Sequence, residues 1–139
     1  MKSKAPLSLM EQLIMLLVFA LAAALCLQVF VLSGKVSRSS ETKSHAVTAV
    51  QNAAEVTKSC RGDFESISAI LGGSGNDRRW QLSFDENWQP ATSASACYVV
   101  NIIPASTGIP TLGSAEISAH SENGTLFSLT VCWQEVAYE

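Results

Sequence analysis

The run Leu13–Leu32, LIMLLVFALAAALCLQVFVL, constrains this chain more than any other feature: twenty residues carry no charge, and Gln28 is the one strongly polar interruption. Twenty helical residues rise about 30 Å, the thickness of a bilayer's hydrocarbon core. A cleaved secretory signal is the competing reading, because Lys2 and Lys4 supply a basic start and Ala22, Ala23 and Ala24 supply small residues. The apolar run continues past those alanines through Leu25, Leu27, Val29, Phe30 and Val31, too far for a signal core followed by a polar cleavage site. Lipid attachment at Cys26 is disfavoured by bulky Leu25, which stands where a small residue is wanted. The segment therefore reads as a retained membrane helix. Cations flank it on both sides, Lys2 and Lys4 before and Lys35, Arg38 and Lys43 after, so charge counting alone does not orient it.

A chain of 139 residues has room for one modest domain beside such a helix, and two would leave each core too small. Its net charge of −3 and low charged fraction of 15% offer no basic patch, which argues against a nucleic-acid partner. Of four cysteines, Cys26 lies in the apolar run and packs there as a small hydrophobe. Cys60, Cys97 and Cys132 remain, an odd number. One disulfide with one free thiol, in any of three pairings, stands level with three buried thiols. No Cys/His spacing suggests zinc.

Between Leu7 and Cys60 there is no proline and a single glycine, Gly34, so nothing obliges the helix to stop at the end of the apolar run. A helical stripe persists into the polar sequence: Val36, Lys43, Val47, Val50, Ala54 and Thr57 recur at helical steps, and Ala46 and Ala53 widen it. The stripe is made of small residues, so a packing partner can come close. A self-associating coiled coil is the alternative, weakened by the lack of leucine and the short length. Gly62 is a natural left-handed stop, Asp63 can cap a short helix over Phe64–Leu71, and Gly72, Gly73 and Gly75 close it.

From there the period changes to that of strands. Trp80, Leu82 and Phe84 alternate with polar neighbours, and Asp85-Glu86-Asn87 turns toward Trp88. Cys97–Ile103, CYVVNII, suits an inner strand covered by the long helix. Pro104 and Pro110 bracket a loop, and Ser114–His120 sets Ala115, Ile117 and Ala119 on one face. Asn123-Gly124 is a hairpin signal before a strand over Thr125–Val136, with Phe127, Leu129, Val131 and Trp133 on one side. The expected fold is α+β: a long N-terminal helix, apolar first and amphipathic after, packed on an antiparallel sheet of about four strands. Its divisions are a leader at residues 1–6, an apolar helix at 7–33, an amphipathic continuation at 34–60 and a head at 61–139.

With these parts in this order, the chain resembles the type IV pilin-like proteins, which include the pseudopilins of type II secretion and the minor pilins of competence systems. The basic leader Met1–Pro6, the block LSLMEQLIMLLVFALAAALCLQVF and the helix running into an α+β head carry the resemblance. It is specific over residues 1–32 and architectural beyond. In that family a prepilin peptidase cuts before a hydrophobic residue, the new amino terminus is methylated, and a glutamate stands fifth. Cutting between Pro6 and Leu7 places Glu11 fifth. Pro6 departs from the family's pattern, which has glycine or alanine before the cut, and a proline without an amide hydrogen is a poor substrate for a protease that reads extended backbone.

The resemblance implies a structural subunit, a minor pilin or pseudopilin, whose partners are other pilin-like subunits, the peptidase, an assembly platform protein and the membrane. It also implies an amino terminus in the cytoplasm, a head outside the cell, and a role for Glu11 in pairing with a neighbour's amino terminus during assembly. The alternative is a single-pass anchored binding module that never polymerises. Chemistry in the head is not evident from sequence. His45 and His120 read as surface histidines. Asp77, Asp85 and Glu86 lack the spacing of a calcium loop, and Asn123-Gly124-Thr125 fits a glycosylation pattern that the turn explains better. The glycine-rich stretch at Gly72–Gly75 lacks the context of a phosphate loop. With no nucleophile–base pair and no metal cluster, the expectation is a protein without enzymatic activity or cofactor.

Overall fold

The computed structural model describes residues 5–135. The leader cations Lys2 and Lys4, and Val136 at the expected end of the last strand, lie outside that range. The chain divides into two units, Met1–Glu41 and Thr42–Glu139. The second unit begins inside the long helix.

One helix, α1, runs over Ala5–Ser59. Pro6 falls in its first turn, where a missing N–H removes no intrahelical bond. Between Leu7 and Val36 the large apolar side chains are 57–82% exposed. Their burial would be favourable by about 2 kcal/mol each, so this stretch calls for lipid or protein around it. It is long and apolar enough to cross a membrane.

The later part of α1 belongs to the second unit and buries Ala46, Val50, Ala53, Ala54 and Thr57. The expected stripe holds from Ala46 on; Val36 and Lys43, which share its period, are exposed. Thr57 is fully buried and satisfies its hydroxyl by donating to the Ala53 carbonyl at 2.7 Å. The helix stops where Arg61 and Gly62 take left-handed backbone, φ 52° and 76°, and the Gly62 N–H reaches back to the Thr57 carbonyl at 2.9 Å. A short helix, α2, follows over Phe64–Leu71, with the Asp63 carboxylate accepting from the Ser66 N–H at 3.2 Å and Gly72 closing it at φ 74°.

The sheet is antiparallel, with five strands in sequence order: β1 Ser74–Asn76, β2 Arg79–Phe84, β3 Tyr98–Ala105, β4 Leu112–Ser121 and β5 Gly124–Gln134. Four strands match the alternating segments of the sequence. The fifth, β1, is a three-residue strand in the glycine-rich stretch expected to be loop. Gly75 permits it, since a Cβ there would meet the Arg79 carbonyl oxygen at 2.5 Å. β3 also runs further than expected, through Pro104. Its last pair with β2 is Trp80↔Ile102, so Pro104 lies where that side is open and its missing N–H breaks no ladder.

Register aligns the core in rows. Trp80, Ile102, Ile117 and Leu129 form one row, and Leu82, Val100, Ala119 and Phe127 the next. α1 and Ile67 of α2 pack on these rows. The core cluster joins small residues of α1 to small Ala115 and Ala119 on β4, while bulk comes from β2, where the Trp80 ring is fully buried and its Nε1 donates to Ser68 Oγ at 3.0 Å.

Candidate assembly site

Glu11 is the only charged residue between Lys4 and Lys35. It sits on α1 and is exposed, with no ion-pair partner among the described residues. Leu7 lies four residues before it, hence on the same helical face and one turn nearer the N-terminus, the direction in which helical side chains tilt. An amino group at Leu7 would thus stand about 6 Å along the axis from the Glu11 backbone, within reach of its carboxylate. The bond between Pro6 and Leu7 is itself in the first turn of the helix, so cleavage there requires that turn to open. Leu7 is 73% exposed, and nothing in its own unit shields it.

All four cysteines are free. Cys97 precedes the first residue of β3, while Cys132 on β5 pairs with Ser114, itself opposite Ala105 at the far end of β3. Eight strand residues, about 26 Å, separate the two levels, which rules out a bond between them. Nor are they three buried thiols: Cys97 and Cys132 are exposed and Cys60 is partly buried beside the core.

The turn after β2 is built on Asp85. Its Oδ1 accepts from the N–H groups of Asn87 and Gln89 at 2.8 and 2.9 Å, and its carbonyl accepts from the Trp88 N–H at 3.1 Å. One oxygen of the carboxylate is thereby engaged in the turn. Trp88 takes left-handed backbone, φ 59°, and its ring stacks on Tyr98 at a centroid distance of 4.3 Å and beside His45 at 6.1 Å. The turn is legible in the sequence and the stack is not, because no local pattern brings residues 45, 88 and 98 together.

His120 has neighbours that the sequence reading missed. Its Nε2 is 2.9 Å from Ser118 Oγ and its Nδ1 is 3.1 Å from Thr125 Oγ1. The signal was present as the i, i+2 spacing of Ser118 and His120 on one strand face. Both ring nitrogens are occupied by hydroxyls and Ser118 is buried, so the trio links β4 to β5 beside the register shift at Ala119/His120.

A cleft of about 720 Å³ opens between the α1–α2 turn and the β3–β4 loop, with Arg61, Phe64, Asp77, Thr107 and Glu135 along it. At its floor the Trp133 ring is clamped by two glycines: a Cβ on either Gly62 or Gly113 would strike it. Trp133 Nε1 is buried without a hydrogen-bond partner among the described residues. The Asp63 carboxyl on the rim is held below the usual carboxylate range, chiefly by the Ser66 hydroxyl and then by the Ser66 N–H. Among the described residues no group of three or more His, Cys, Asp or Glu side chains could hold a metal. Compared with protein-family models, curated proteins and solved structures, the chain matches none.

Proposed function

We propose that this chain is a structural subunit, of the minor pilin or pseudopilin kind, of a type IV pilus, competence or type II secretion-like filament. The observation that carries the proposal is the placement of Glu11. It is a single carboxylate one helical turn after Leu7, at the start of a helix that carries no other charge before Lys35. In lipid an isolated carboxylate costs on the order of 3 kcal/mol. Pairing it with the cationic amino terminus of a neighbouring subunit offsets much of that cost and sets one register between helices. The subunit enters the membrane with its amino terminus in the cytoplasm and its head outside, is cut by a prepilin peptidase between Pro6 and Leu7, and passes through an assembly platform protein. Its exposed apolar side chains then exchange lipid for the helices of other subunits.

Mass spectrometry of the mature amino terminus in the native host is the test. The expected chain starts at a methylated Leu7 and keeps its first six residues when the peptidase is removed. An unprocessed chain in the normal host would sink this form of the proposal.

Pro6 favours a second reading, a membrane-anchored binding module that does not polymerise, because a proline in a helical turn is a poor cleavage site. Glu11→Ala separates the two: a filament subunit loses assembly, whereas an anchor keeps its membrane level unchanged.

A further inference from the structure

The two edges of the sheet are unlike. β1 is three residues long and is followed at once by Asp77, Arg78 and Arg79, the short and charged kind of edge that resists pairing with another strand. β5 is eleven residues long, GTLFSLTVCWQ, with no charge and no proline. It spans about 37 Å. Alternate N–H and C=O groups along it face away from β4, and no described strand lies on that side. Core burial also thins toward this edge. Ala115, Ile117 and Ala119 on β4 are 0–2% exposed, whereas Phe127, Leu129 and Trp133 on β5 are only partly covered.

Charge identifies what can pair there. Every lysine and arginine of the chain lies at or before Arg79; from Trp80 onward there are six acidic residues and no cation other than histidine. Three of those acids frame β5: Glu122 in the turn before it, Glu135 directly after it, and Glu116 exposed on β4 opposite Thr130. A second copy of this chain fits poorly. Antiparallel pairing of two β5 strands brings Glu122 of one toward Glu135 of the other, and like charges across a ladder repel. The β1 edge of a second copy offers only three residues to eleven.

We infer that the β5 edge is a docking site for an extended, lysine- or arginine-bearing segment of another polypeptide. That segment adds a sixth strand, with apolar residues covering Leu129 and Trp133 and cations meeting the acids at both ends. The inference holds whether or not the chain polymerises.

The test uses the full chain in detergent micelles and three eleven-residue peptides of alternating valine and threonine. One has lysine at both ends, one has glutamate at both ends, and one has lysine ends with a central proline. The lysine-ended peptide is expected to bind at least tenfold more tightly than the glutamate-ended one at low salt, with the difference shrinking at 1 M salt. On binding it should slow amide exchange of alternate β5 residues at least tenfold and leave β1 unchanged. The proline peptide should lose both effects. Glu122→Lys combined with Glu135→Lys, two exposed positions, should reverse the preference while leaving the thermal midpoint of the head in place. Equal binding of the first two peptides would overturn the inference, as would protection anywhere other than β5. Protection of β5 in the free chain that grows with protein concentration would also overturn it, since the occupant would then be a second copy.

Discussion

Two stretches of one helix, Leu7–Leu32 and Ala46–Thr57, invert the usual relation between hydrophobicity and burial. The first is rich in leucine, valine and phenylalanine, and Phe30 is 82% exposed; the second buries alanine, valine and threonine, with Ala46 and Val50 at 0%. Burial therefore follows not from the apolar character of a residue but from what stands opposite it. Across from Ala46–Thr57 is a sheet whose own rows are complete, and small side chains let two backbones approach. The first stretch has no such surface within its own unit, so its bulk is suited to a solvent or partner that the fold does not supply.

A single carboxylate tests this contrast most severely. Val50→Asp places an unpaired charge in the buried core that also holds Trp80, Ile102 and Ile117 and should lower head stability by on the order of 4 kcal/mol, read from chemical denaturation followed by tryptophan fluorescence. Val18→Asp, the same change in the first stretch, should leave that denaturation curve where it is. Its cost should appear as a loss of about 3 kcal/mol in membrane partitioning. If Val18→Asp unfolds the head, the two stretches are not energetically separate.

Size gives a smaller effect of the same form. Ala53→Leu overfills a site that is 3% exposed and should cost about 1–3 kcal/mol. Ala20→Leu, among exposed neighbours, should leave the denaturation midpoint unchanged.

Much of the fold was legible in sequence because its boundaries are set by local chemistry. Asp63 and Gly72 fix the ends of α2 through a side-chain oxygen and a left-handed turn, and Asn123-Gly124 fixes the hairpin between β4 and β5. What was missed depends on partners distant in sequence. Nothing in Ser74-Gly75-Asn76 marks a strand; it becomes one because Trp80 and Gln81 come back beside it. Val36 and Lys43 keep the helical period of the stripe but have nothing to pack on, and periodicity cannot report an absent partner. Likewise the stack of His45, Trp88 and Tyr98 and the hydroxyls around His120 arise from tertiary placement. The candidate assembly site is the opposite case. Glu11 and Leu7 are related by helix geometry alone, so their spacing could be read directly from the sequence.

Glycine distinguishes the two parts of α1 in opposite directions. Gly34 sits mid-helix, and an added Cβ would meet nothing within 4 Å. Gly34→Ala should therefore stabilise the helix by up to about 1 kcal/mol, seen as slower amide exchange around residue 34. Gly62, just past the helix end, has φ 76°, and a Cβ there would strike the Trp133 ring. Gly62→Ala should destabilise the head by about 1–2 kcal/mol from backbone strain alone, with a shift in Trp133 emission.

The smallest effect lies at the junction that follows α1, where Asp63 caps α2. Its carboxyl titrates below the usual 3.8 because the Ser66 hydroxyl and N–H both bond to the ionised form. A depressed folded-state value means that this contribution is complete above the unfolded value and disappears as pH falls through the folded one. Amide exchange at Ser66 should therefore stay slow down to about pH 4 and accelerate below it, while Val50 and Ala53 remain protected. Asp63→Asn keeps a capping oxygen without the charge and should flatten that pH dependence. If Ser66 and Val50 lose protection together on acidification, α2 and the buried part of α1 unfold as one unit.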